Sequence, residues 1–95
     1  IFSSSELDQK ARRLSVVQPR LTSTLLRQTP ATVVVIFIVD ENGRVQDPKV
    51  QRTTNPSFDR SALAAIKQWK FEPAKVQGRA VSSRLRQSFS FENST

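Results

Sequence analysis

Three groups of residues in this chain could do chemistry, and each points to a different kind. Asp40, Glu41 and Asp47 form the densest acidic cluster and could hold a calcium or magnesium ion through their carboxylate oxygens. The ligand spacing of an EF-hand loop is missing, so the cluster reads as turn chemistry. Trp69, within Trp69-Lys70-Phe71-Glu72-Pro73, could stack on a base or grip a peptide. Its place on an apolar stripe of helical spacing assigns it to a core instead. Arg84 and Arg86, with Arg52, Lys70, Lys75 and Arg79, could neutralise phosphates. No helix-turn-helix, zinc-finger or RNP-like pattern accompanies them, so specific nucleic-acid binding is not expected. Clustered cations are also a common way to keep a strand edge from pairing indiscriminately.

The inventory narrows the field further. Cysteine, histidine, methionine and tyrosine are all absent, which removes disulfides, thiolate and imidazole metal sites, and Ser-His or Cys-His catalysis. The expectation is a protein that binds and does not catalyse, with no cofactor. Fifteen Lys plus Arg against eight Asp plus Glu give a formal charge of +7, so attraction to something anionic is expected. A chain of 95 residues makes one domain with a marginal core, burying roughly 60 to 65% of its unfolded surface. It opens Ile1-Phe2-Ser3-Ser4-Ser5 without an initiator Met, and its longest apolar run, Val33 to Val39, has seven residues against the roughly 20 needed to span a bilayer. This reads as a domain excised from a longer protein, with any anchor upstream.

The elements that must position these residues can be read in order. Residues 1–10 are Ser-rich and polar and read as a linker remnant, with a domain over 11–92 and a frayed end over 92–95. Leu14 and Val16 alternate with polar positions, predicting a short extra N-terminal strand that Pro19 would end. Leu21, Leu25 and Leu26 share a face of a helix of about two turns closed by Pro30. Thr32 to Asp40 is the strongest strand, apolar on both faces and so placed mid-sheet. Asn42-Gly43 can take the positive φ a tight hairpin needs, which makes Gly43 a backbone residue. The return strand from Arg44 to about Thr53 contains Pro48 and belongs at an edge. Asn55 caps a helix with Pro56 first, and Phe58, Ala62, Ala65, Ile66 and Trp69 form its apolar stripe. Gln77-Gly78 then turns the chain into a last strand. On it Val81, Ser83, Leu85, Gln87 and Phe89 face one side, and Ser82, Arg84, Arg86, Ser88 and Ser90 the other.

The last strand carries the functional reading. By hairpin connectivity it lies at an open edge beside the central strand, where unpaired N–H and C=O groups can accept a strand from another chain. The same groups allow two copies to pair, so a homodimer stays open as an alternative. Val34, Ile36 and Ile38 face away from the helices and need a cover. The strand near Leu14 and Val16, a second subunit or an outside partner could each supply it.

The order Val33, Val35, Phe37, Val39-Asp40, Gly43, Val45, Phe58, Ala62, Ala65-Ile66, Trp69, Phe71, Pro73, Gly78, Val81, Phe89 and Phe91 resembles the C-terminal domain of TonB-family energy transducers. The resemblance implies an α+β fold, a three-stranded antiparallel sheet with two helices packed on one face. It also implies a periplasmic soluble domain of an inner-membrane-anchored protein, linked to an ExbB/ExbD-like proton-channel complex. Such domains capture the N-terminal TonB-box segment of TonB-dependent outer-membrane transporters by strand addition. Carried over, the contact would fall on Val81, Ser82, Ser83, Arg84, Leu85, Arg86, Gln87 and Ser88. Two positions depart from the family pattern: Leu21-Thr22 stands where a Tyr-Pro pair usually precedes the first helix, and Ala31 where a Gly usually opens the central strand.

Overall fold

A computed structural model describes residues 7–92. Residues 1–6 of the expected linker and 93–95 of the expected frayed end lie outside the described residues. The order is β1 (Arg12–Ser15), α1 (Ser23–Leu26), β2 (Ala31–Val39), β3 (Val45–Thr53), α2 (Asp59–Ile66), β4 (Lys70–Glu72), β5 (Ala74–Val76), β6 (Arg79–Val81) and β7 (Ser83–Phe91). Strands β3, β2 and β7 form an antiparallel sheet in that spatial order, with β2 in the middle. The fold is therefore the expected α+β sheet-and-helix arrangement, with β1 as the additional N-terminal strand.

The period-2 geometry of β2 sorts its side chains. Ala31, Val33, Val35, Phe37 and Val39 are all buried and face the core with Phe89 and Phe91 of β7. Against them lies the expected stripe, only partly helical: Phe58 in the 3-10 turn, Ala62, Ala65 and Ile66 of α2, and Trp69 three residues past the helix end are each buried. Asn55 begins this helix by accepting from the Ser57 N–H at 3.0 Å, with Pro56 opening a short 3-10 turn that runs into α2. Phe58 stacks tilted on Phe91 with ring centroids 4.8 Å apart, and Trp69 meets Phe89 edge-on at 5.6 Å. Fully enclosing a side chain such as Phe58 contributes roughly 1.5–3 kcal/mol.

Edges and turns follow local chemistry. Pro48 sits on the outer strand β3, where the register slips between Ile36↔Lys49 and Ile38↔Gln46, so its missing donor falls in a bulge. Asp47 there takes φ 53°. At the β2–β3 turn, Asp40 Oδ1 accepts from the N–H groups of Asn42 and Arg44, both at 2.9 Å, and Oδ2 accepts from Gln46 Nε2 at 2.9 Å. The Arg44 N–H above all holds this carboxyl below its ordinary range. Both oxygens are thus engaged by the turn itself.

Two elements differ from the sequence expectations, and one of the alternatives left open by the sequence is removed. The first helix is a single turn, capped by Thr22 Oγ1 accepting from the Leu25 N–H at 3.2 Å. The last strand is two strands: β6 pairs with β5 through a hairpin whose corner residues Gln77 and Gly78 have φ 51° and 77°, and β7 begins only after Ser82. Finally, β1 does not cover Val34, Ile36 and Ile38. It pairs with β4 on the helix side of the sheet, leaving Leu14 and Val16 exposed. At the end of the segment expected to be a linker, the Asp8 and Gln9 N–H groups both donate to the Lys75 carbonyl.

Candidate functional site

The free edge of β7 can be assigned residue by residue from the ladder. Thr32 accepts from the Thr54 N–H at 3.0 Å, and Asp40 donates to the Arg44 carbonyl at 2.9 Å, so even-numbered positions along β2 serve β3. Odd-numbered positions therefore serve β7. The β2–β7 register runs unbroken from Ala31↔Phe91 to Val39↔Ser83. Opposed odd residues exchange both bonds, which turns the N–H and C=O of Arg84, Arg86, Ser88 and Ser90 away from the sheet. Among the described residues no other backbone segment pairs with these groups. The Gln87 side-chain amide folds over the edge and donates to the Ser88 carbonyl at 2.9 Å.

The expected contact residues divide. Arg84, Leu85, Arg86, Gln87 and Ser88 share β7, with the two arginines and Ser88 exposed. Ser83 opens the strand but is 1% exposed, and its hydroxyl has no partner among the described residues. Ser82 is the break between strands. Val81 belongs to β6, where it pairs with Ala74, so it stands outside the β7 edge.

A wall that sequence reasoning did not foresee flanks this edge on the helix side. Trp69 Nε1 donates to the Val17 carbonyl at 2.9 Å, and the Arg13 guanidinium lies 6.0 Å from the Trp69 ring centroid. These contacts hold the N-terminal segment beside β7. Between them runs a groove of about 320 Å³, bounded by Arg13, Val16, Pro19 and Leu21 on one side and residues 87–92 on the other. A second groove, of about 490 Å³, continues past Ala11, Arg12 and Leu85. A strand added to β7 would have its backbone met by the open edge and alternate side chains received here. Trp69→Phe keeps the ring but removes the donor to Val17. It is expected to cost about 1–2 kcal/mol and to speed amide exchange selectively over residues 13–18, measured by hydrogen exchange against the unchanged β2 amides.

The core Trp69 is 6% exposed, which leaves its ring little surface for stacking on a base. No helix among the described residues is long and apolar enough to cross a membrane.

Comparison with known proteins places this geometry. The sequence profile of the family described as Gram-negative bacterial TonB protein C-terminal matches residues 25–92. Two curated relatives, each named Protein TonB, come from Xanthomonas campestris pv. campestris strains B100 and ATCC 33913. Each is 35% identical over 60 residues, covering 62% of this chain and 27% of the relative. The chain thus spans about a quarter of the length of the curated relatives it matches. The solution NMR structure of the Pseudomonas aeruginosa TonB CTD is similar in fold, with a TM-score of 0.77 over 99% of this chain and 95% of that one at 24% identity.

Proposed function

The chain belongs to the TonB C-terminal domain family, and from that premise we propose that it is the periplasmic output domain of an energy transducer. In this reading it captures the N-terminal TonB-box segment of an outer-membrane transporter by strand addition at β7. The parent protein is anchored in the inner membrane and driven by a proton-channel complex of the ExbB/ExbD kind. The observation that carries the reading is the run of outward backbone groups at Arg84, Arg86, Ser88 and Ser90, derived from the unbroken β2–β7 register. Main-chain bonds give affinity with little dependence on the incoming sequence. Arg84 and Arg86 favour a segment with acidic residues on the open face, and the groove of mixed polar and apolar lining beside Val16 and Leu21 has room for its alternate side chains on the other. A pull along the strand direction loads several of these bonds together, which suits transmission of force.

Pairing of two β7 edges would set the Arg84 and Arg86 rows of both copies against each other, and like charges across a strand pair are destabilising. Self-association through this edge is therefore the weaker reading. Titrating the isotope-labelled domain with peptides copied from the N-terminal segments of TonB-dependent transporters tests the proposal. Amide shifts concentrated on residues 83–88 are expected; silence at millimolar peptide, together with concentration-dependent size of the domain alone, would transfer the edge to self-pairing.

A further inference from the structure

The face of the sheet opposite the helices shares its Arg84–Arg86 row with strand addition, but its β2 and β3 rows are a surface that strand addition does not use. Its middle row is apolar and its two flanks are cationic. Ile36 lies between Arg86 and Lys49 and Ile38 between Arg84 and Gln46, while Val34, between Ser88 and Arg52, is already buried at the end of the row. Ile36 is 37% exposed. The surroundings form a shallow groove of about 520 Å³ whose lining includes Ile36, Ile38, Asp47, Lys49, Arg84 and Arg86. Asp47 and Lys49 approach to 3.9 Å at a largely exposed site. Among the described residues no acidic side chain comes within 4 Å of Arg52, Arg84 or Arg86.

We propose that this groove docks an amphipathic helix of a partner protein, one whose apolar stripe is flanked on both sides by acidic residues. Four features of the surface select that occupant. Strand β2 is hydrogen-bonded on both edges, so the face offers no backbone groups, and a segment lying on it must satisfy its own N–H and C=O internally, as a helix does. The flanking rows stand roughly 10 Å apart, two strand spacings, which matches a helix diameter of about 10–12 Å. The isoleucines form a floor below longer arginine and lysine side chains, the reverse of the projecting apolar surface that inserts into a bilayer. A second copy laid face to face would oppose cation to cation on both flanks, whereas carboxylates there would pair with Arg84, Arg86, Lys49 and Arg52.

The test uses a stapled synthetic helix about 16 residues long with Leu at i, i+3 and i+7 and Glu on either side of that stripe. Its counterpart carries Lys for Glu, and phosphatidylglycerol vesicles serve as the membrane arm. The Glu helix is expected to shift the methyl resonances of Ile36 and Ile38, and the Lys helix is not. The double variant Lys49→Glu/Arg52→Glu should weaken the Glu helix about tenfold, as should Ile36→Ser if it folds. Both changes are remote from the outward groups of β7, so either variant should keep its response to transporter peptides, and failure of the two proposals would be told apart. Equal binding of the Lys helix, no methyl shift with the Glu helix, or methyl shifts with vesicles alone would overturn the inference.

Discussion

Gly43→Ala is expected to remove about 3–5 kcal/mol of stability, from a left-handed backbone penalty of about 1–2 kcal/mol and a steric conflict that disturbs the core. The residue has φ 80°. A methyl built there would lie 1.9 Å from the Phe71 carbonyl oxygen, a backbone atom that no rotamer change can move aside. The neighbouring Phe71 N–H donates to the Gly43 carbonyl at 2.9 Å, so relieving the clash also pulls away the bond that docks β4 to the turn. Phe71 is itself 4% exposed and part of the core. A domain of this size has roughly 5–14 kcal/mol in total, so a large share is lost. Gly78 supplies the control: its φ is 77°, yet nothing lies within 4 Å of an added methyl. Gly78→Ala should cost only the conformational part, about 1–2 kcal/mol. Urea unfolding of the two variants measures both. Equal losses would show that the turn accommodates a side chain by moving β4 freely.

The second large effect separates neighbours on β7. Adjacent residues send their N–H groups to opposite edges, so two prolines one position apart should do different things. Leu85→Pro removes a donor from the ladder to Phe37 and leaves its acceptor unpaired, which is expected to cost about 1–3 kcal/mol, seen as a lowered urea midpoint and lost dispersion in the amide spectrum. Arg86→Pro removes an outward N–H instead. It should leave the β2 ladder in place, keep the domain folded and weaken a transporter peptide by about tenfold or more, one outward bond being worth roughly 1.4 kcal/mol at that level. Arg86→Ala takes away the same charge and keeps the N–H, so it should lose far less. If Arg86→Pro and Arg86→Ala weaken binding equally, the edge acts through charge rather than through its backbone.

The central strand and the main helix were legible because each has an unbroken periodicity: seven β-formers from Val33 to Val39, and a 3.6-residue stripe from Phe58 to Trp69. The edge positions of β3 and β7 followed from Pro48 and from hairpin connectivity, and the order β3-β2-β7 agrees. The break at Ser82 was hidden because alternation continues across it, with Val81 and Ser83 in phase although they belong to different ladders. Strands β4, β5 and β6, of three residues each, lie below the length at which a pattern exists. They are held by tertiary pairing with β1, with Gly43 and with each other. The wall beside the site depends on Trp69 meeting Val17 across 52 residues, a contact no local signal encodes. Which β7 residues face outward also required the register, since sequence alternation fixes side-chain faces and not the direction of N–H groups.

Strand addition at β7 is tested most directly by hydrogen exchange of the labelled domain with and without a peptide from the N-terminal segment of a TonB-dependent transporter. The outward amides of Arg84, Arg86 and Ser88 should slow together when the peptide is added. Those of Leu85 and Gln87, already bonded to β2, should change little. Protection without that alternation, or confined to the helices and the opposite sheet face, would contradict capture of a strand by the β7 edge.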